Sequence, residues 1–126
     1  MIVDTDVLID CLRGLPQAAA AIKQQLASGA LAISVISIAE LEAGMRAGER
    51  GPLDAFIGVM QRVPVSEQIA RTAGAYVHRY GKSHGVLLPD ALIAATAHHH
   101  EGKLMTLNRK HYPMRDIELL IPYRKS

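Results

Sequence analysis

Short apolar runs alternate with longer amphipathic stretches from one end of the chain to the other. Met1-Ile2-Val3 is a brief apolar run closed by Asp4, the pattern of a buried strand. Thr5 to Arg13 then carries Val7, Leu8, Cys11 and Leu12 on one side at helical spacing, which predicts an amphipathic helix. A second helix is predicted over Pro16 to Ser28, since Pro16 suits a first turn, Ala18 to Ala21 favour helix and Gly29 suits its end. Leu31 to Ile36 is rich in β-branched residues and reads as a strand. Ser37 heads the next helix, to about Ala47, with Gly48 and Gly51 punctuating its end.

Leu53 to Gln61 reads as a short helix, and Val63-Pro64-Val65 as a brief edge segment, because proline has no N–H for a ladder. Ser66 caps a longer helix to about Tyr80, followed by a loop from Gly81 to Gly85. Pro89 to His100 is a compact apolar helix ended by Gly102, and Leu104–Thr106 and Ile117–Ile121 are the last two strands. This alternation predicts an α/β domain with a central, mostly parallel sheet of about four or five strands, flanked by helices on both faces. No internal repeat or linker interrupts it, so residues 1–126 are expected to form a single domain.

Composition narrows the classes. With 49% apolar and 21% charged residues, disorder is excluded as a default. The single cysteine, Cys11, excludes an internal disulfide framework and a Cys-based zinc cluster, and it reads as a small buried hydrophobe. No run approaches the roughly 20 apolar residues that span a bilayer, and no basic region precedes an apolar stretch at the N-terminus. A cytoplasmic location without membrane contact is expected. The net charge of +2 is too small to indicate a nucleic-acid partner, but its distribution is uneven. Asp4, Asp6 and Asp10 crowd the first ten positions, while six basic residues face only two acidic ones from Lys103 onward.

Three acids occupy similar places in this map. Asp4 follows the first strand, Glu40 lies in the first turn after the second, and Asp90 opens the helix behind Pro89. Ligands bind at the carboxyl ends of strands in open α/β sheets, so these side chains can meet at one edge. Asp6 could join them from the first helical turn, and Asn108, after Leu104–Thr106, adds a neutral oxygen. Two carboxylates about 4 Å apart repel by roughly 4 kcal/mol at an effective dielectric near 20, which calls for a proton or a cation. Hard Mg²⁺ or Mn²⁺ prefers oxygen ligands, can activate water and stabilises charge on a phosphodiester in displacement. The basic C-terminal segment suits a polyanionic substrate.

Plainer readings stand beside this one. Asp4 is a favoured N-cap, Ser37-Ile38-Ala39-Glu40 matches a capping box, and the helix dipole favours Asp90. His98, His99 and His100 point about 100° apart on a helix and read as helix-end residues. His111 fits either a contact to a polyanionic substrate or loop packing. Ser34 and Ser37 lack a base that would complete a hydrolase triad. Five aromatic residues, Phe56, Tyr76, Tyr80, Tyr112 and Tyr123, are available for stacking, few enough that contact with charged groups would dominate recognition of a polyanion.

The segments MIVDTDVLID, ISVISIAELEAGMRAG, LPDALIAATA and LMTLNRKHYPM occur in the order found in PIN domains. Over nearly its whole length the chain resembles VapC-type toxin ribonucleases of bacterial type II toxin–antitoxin pairs. The resemblance implies a Mg²⁺- or Mn²⁺-dependent endoribonuclease, with Asp4, Glu40 and Asp90 as successive acids and Asn108 at a fourth position often held by Asp or Asn. It implies Asp4 and Asp90 as direct metal ligands and Glu40 acting through water, with Asp6 and Asp116 as further candidates. Asn108, Thr106 and Ser37 would position waters or substrate phosphate, and Arg13, Arg109 and Lys110 would contact phosphates. It also implies a homodimer and a cognate VapB-like antitoxin laid across the groove, so that control comes from another chain.

Two other classes share parts of this pattern. Asp4-Thr5-Asp6-Val7-Leu8 resembles the DxDGT start of haloacid-dehalogenase-like phosphatases, with Asp4 as nucleophile, but Val7 and Leu8 stand where Gly and Thr are expected. A non-catalytic PIN-like or receiver-like binding module would retain the alternation. A receiver would need a phosphoacceptor Asp after a central strand and a Lys after a later one, and the sequence shows neither.

Overall fold

The short apolar segments pair side by side into one sheet, seen in a computed structural model that describes residues 1–125. The strands are β1 (Ile2–Val3), β2 (Ala32–Ser34), β3 (Gln61–Val63), β4 (Lys103–Met105) and β5 (Glu118–Leu120). Between them lie α1 (Thr5–Leu12), α2 (Pro16–Ser28), α3 (Val35–Ala43), α4 (Arg50–Gly58), α5 (Glu67–His84) and α6 (Leu88–His98), with a 3₁₀ turn at Arg109–His111. The strand order is β3-β2-β1-β4-β5 and every pairing is parallel. The chain therefore winds outward from β1 in one direction, then crosses back to place β4 on the other side. The ends of β1 and β4 form the switch point of the sheet.

Side chains alternate across each strand, so each strand feeds two layers. Ile2, Ala32 and Leu104 face one layer, with Ile69, Ala73 and Tyr76 of α5 and Ala91, Ile93 and Ala94 of α6. Val3, Ile33 and Met105 face the other, with Val7 and Leu8 of α1, Ile22 of α2, Leu41 of α3 and Leu53 of α4. A sheet covered on both faces has no need of polar positions in its central strands, which explains why they read as continuous apolar runs. Among the described residues no helix is long and apolar enough to cross a membrane.

Several boundaries differ from the sequence expectation. Val35 and Ile36, read as the end of a strand, form the first turn of α3, because Ser34 caps that helix by accepting a hydrogen bond from Ile36 N at 3.1 Å. Ser37 is thus inside the helix and the predicted capping box does not form; α3 also ends at Ala43, short of Ala47. Gly51 lies within α4, which begins at Arg50 and ends at Gly58, and Gln61 opens β3 instead of closing a helix. The edge strand stops at Val63, so Pro64 falls outside the ladder. The expected Gly81–Gly85 loop is the last turn of α5, closed by Gly85 in the left-handed region (φ +66°) with its N–H donated to the Gly81 carbonyl. Glycine takes that conformation without the penalty a Cβ would bring.

Ser34→Ala is expected to lower unfolding free energy in urea by about 1 kcal/mol, the usual worth of a lost N-cap. An unchanged urea midpoint would show that the cap does not set the β2–α3 junction.

Candidate active site

Asp4 emerges from β1 at the switch point and is 5% exposed. Its Oδ1 accepts from the Thr5 backbone N–H at 2.8 Å, capping α1. Its Oδ2 accepts from Thr106 Oγ1, just past β4, at 2.7 Å and from Tyr112 Oη at 2.8 Å. The same Tyr112 hydroxyl stands 3.5 Å from Oδ1 of Asp90, in the first turn of α6. The second Asp90 oxygen lies 3.2 Å from His111 Nδ1. One buried phenol thus stands between a carboxylate at the end of β1 and one in the first turn of α6.

Glu40 reaches the same region from α3. Thr5 Oγ1 lies 2.7 Å from Glu40 Oε1 and 2.9 Å from Ser37 Oγ. An ionised carboxylate can only accept, so the Thr5 proton goes to Glu40 and Ser37 donates to Thr5. Asp6 sits beside them: Oδ2 accepts from Leu107 N at 3.1 Å and Asn108 Nδ2 at 2.8 Å, and Oδ1 from Val7 N at 2.7 Å. The Asn108 backbone N–H in turn donates to Thr106 Oγ1 at 3.1 Å.

Crowding shows in the protonation equilibria. The Asp6 carboxyl is pushed up to about 6, first by burial and then by the charge of Asp4, against the pull of the Leu107 and Val7 N–H groups. Asp90 is raised as well, by burial first and then by Asp4 and Glu40, while His111 and Tyr112 pull the other way. Burial and the charges of Asp4, Asp90 and Asp6 hold the Tyr112 phenol far above its ordinary range, so it stays a donor. Among the described residues no three His, Cys, Asp or Glu side chains converge tightly enough to cage a cation by themselves.

The sequence pattern of the PIN domain matches residues 1–117. The chain belongs to the PIN-domain family. Ribonuclease VapC10 of Mycobacterium tuberculosis is 44% identical over 115 residues, covering 90% of this chain and 86% of that protein. Ribonuclease VapC19 of the same organism is 39% identical over 115 residues, covering 90% and 92%. Among solved structures, a toxin–antitoxin complex from Klebsiella pneumoniae contains a chain that superposes with a TM-score of 0.78 at 26% identity, over 98% of each chain. Within the PIN family the chain groups with the VapC ribonucleases.

In this PIN domain Asp4, Asp6, Glu40, Asp90 and Asn108 all gather at the ends of β1 and β4. Thr106 and Ser37, expected to touch water or phosphate, are fully buried and hold other side chains instead. Arg109 and Lys110 lie exposed in the 3₁₀ turn on the rim. Two candidates do not join. Asp116 precedes β5 at the opposite end of the sheet, where it accepts from Tyr76 Oη at 2.9 and 3.0 Å and faces His98 Nδ1 at 3.3 Å. Arg13 closes the far end of α1, 3.8 Å from Glu49. The three consecutive histidines diverge: His98 faces Asp116 and His99 meets Thr72.

Tyr112 and Thr5 were missed. Tyr112, expected among the residues open to stacking, is 2% exposed. It lies in a loop, where periodicity assigns no face; its only signal is an aromatic residue beside a polar 3₁₀ turn.

The raised Asp6 gives a signed pH dependence. Its folded pKa exceeds the ordinary 3.8, so the folded state holds the proton more tightly. The stabilisation is present below about pH 4, declines through about 6, and is absent above. With divalent cations chelated, the melting temperature of the wild type relative to Asp6→Asn should therefore fall as pH rises from 4 to 7.5, on top of a pH-independent cost to the variant, whose amide meets the Val7 or Leu107 N–H with a second donor. A difference that stays constant with pH, or moves in favour of the wild type as pH rises, would contradict this electrostatic picture.

Proposed function

We propose that this VapC-family PIN domain is the toxin of a type II toxin–antitoxin pair, an endoribonuclease that cleaves RNA with Mg²⁺ or Mn²⁺. The observation that carries the reading is the pair of carboxylates, Asp4 at the end of β1 and Asp90 in the first turn of α6, on either side of the Tyr112 hydroxyl, which gives its one proton to Asp4 at 2.8 Å and stands 3.5 Å from Asp90. The donor set fits the ion: every candidate ligand is a hard oxygen, and Mg²⁺ usually contacts one or two carboxylates while keeping several waters. A site short of a full protein cage is what such an ion takes. Asp4 and Asp90 would hold it, and Asp6, whose ionisation burial opposes, would gain from its charge. When bound, the ion supplies an activated water and a positive charge against the phosphodiester oxygens.

The remaining work falls to the protein. Thr5 fixes Glu40 Oε1, so the carboxylate is aimed to accept a hydrogen bond from the attacking water. Thr106 and Tyr112 hold Asp4 in one orientation, and Asn108 orients Asp6. Arg109 and Lys110 on the rim attract the phosphate backbone. The phosphatase alternative expects Gly and Thr after the second acid, where this chain has Val7 and Leu8, both buried in the core. An antitoxin of the VapB type is the partner this reading entails, supported by the toxin–antitoxin complex from Klebsiella pneumoniae that the fold resembles. A homodimer is proposed as the assembly.

Purified protein should cleave RNA with Mg²⁺ or Mn²⁺, stop in EDTA and resume when the ion is restored. Asp4→Asn and Asp90→Asn should each lose at least about 100-fold in rate, the scale of several kcal/mol of charge stabilisation. Asp116→Asn should retain wild-type cleavage. Full activity in the Asp4 and Asp90 variants would place the chemistry elsewhere.

Tyr112→Phe removes one oxygen and leaves the packing. A fall in cleavage of about 10–100-fold with an unchanged KM is expected, the usual cost of losing a group that orients a metal ligand. An unchanged kcat would show that the hydroxyl serves only the core.

A further inference from the structure

Beyond β5 the chain does not leave the molecule; residues 121–125 run back against α1. Tyr123 Oη donates to Asp10 Oδ2 at 2.8 Å, and Lys125 Nζ donates to Asp10 Oδ1 at 2.7 Å. Asp10, with a side chain only 12% exposed, therefore spends both oxygens on this segment. It pins the two residues that flank Arg124. Arg124 itself is exposed and makes no hydrogen bond or ion pair among the described residues. The backbone at Arg124 is thus anchored on both sides, while its side chain is left open.

Arg124 faces a cleft of about 470 Å³. Ile121, Tyr123 and Lys125 complete that wall, and Asp6 and Asn108 belong to the same cleft. The cleft is therefore continuous with the acid cluster, and its volume falls in the range of small-molecule sites. Its chemistry differs from that of the cluster. The guanidinium offers a planar fork that matches a phosphate bidentately. The Asn108 amide nitrogen is committed to Asp6, which leaves its carbonyl oxygen to accept from a base or a ribose hydroxyl. An occupant that spans this cleft needs an anionic group for Arg124 and a hydrogen-bond donor for the Asn108 carbonyl, and a nucleic-acid strand has both.

We propose that this cleft is a nucleotide subsite next to the scissile bond, in which Arg124 binds the adjacent phosphate and Asp10 is a positioning residue for it. The inference rests on the ribonuclease reading above and adds the route by which the strand approaches the acids. It also gives Asp10, which lies outside the acid cluster, a reason to carry its charge. The rim residues Arg109 and Lys110 would then attract the strand, while Arg124 fixes its register.

The test uses the full chain and a fluorescein-labelled pool of random single-stranded RNA. Arg124→Gln should raise KM about 10-fold, with kcat and Mn²⁺ affinity within twofold of wild type. Measured in an Asp90→Asn background, its RNA affinity should depend less on salt, the slope of log K against log salt flattening by about 0.7 for one lost phosphate contact. Arg124→Lys should recover the salt slope but only part of the KM. Asp10→Asn should raise KM without altering kcat, provided its melting temperature shows a folded protein. Arg124 is exposed, so its variants test the proposal even if Asp10→Asn does not fold.

Wild-type cleavage with an unchanged KM and salt slope in Arg124→Gln would overturn the subsite alone. Failure of the wild type to bind or cleave RNA would overturn the ribonuclease reading and the subsite with it. Loss of antitoxin binding with RNA parameters intact would assign the cleft to a protein partner and overturn the RNA subsite.

Discussion

A carboxylate buried at the end of the central strand sets the terms for the rest of the molecule. Taking an ionised group out of water is expensive unless hydrogen bonds replace its hydration. Asp4 receives three such bonds, from its own helix, from the end of β4 and from the loop beyond it. Thr106 and Tyr112 are more than a hundred residues away in sequence, so the cost is met only when the first and fourth strands lie side by side. The hydrogen bonds that make Asp4 tolerable also fix its direction. Folding and site assembly are one event here.

Once Asp4 is fixed, the other acids are placed at a cost. No buried side-chain polar atom among the described residues lacks a partner, so the network is complete in hydrogen bonds. It is not complete in charge. Asp6 and Asp90 are both pushed toward protonation by burial and by Asp4. Proteins hold such clusters where the repulsion serves a ligand, and perturbed carboxyls in a cleft are a physical mark of a functional site. A divalent cation would relieve the repulsion, and the basic rim, set outside the cluster, would serve the substrate. The net charge of +2 is the balance of these opposed features.

The sheet and its helices were largely legible in the sequence because apolar runs and helical periodicity are local signals. β1 and α2 fall where they were expected, and the acids at Asp4, Glu40 and Asp90 do converge. What escaped was decided by single hydrogen bonds or by position in space. Val35 and Ile36 carry strand propensity, but the Ser34 cap turns them into helix. Ser37 and Glu40 have capping-box spacing, yet the helix starts earlier and both meet Thr5 across the α1–α3 contact. Asp116 lies near Asn108 in sequence, but the intervening loop carries it to the opposite end of the sheet. Tyr112 could not be found from periodicity, since its burial depends on a loop folding over two acids.

The central claim is that Asp4 and Asp90 are brought together to hold a divalent cation, and Mn²⁺ titration at pH 7.5, followed calorimetrically without RNA, tests it directly. Wild-type protein should bind Mn²⁺ saturably, and Asp4→Asn should weaken that binding at least about 10-fold while remaining folded. No saturable binding by the wild type, or equal binding by a folded Asp4→Asn variant, would contradict the account.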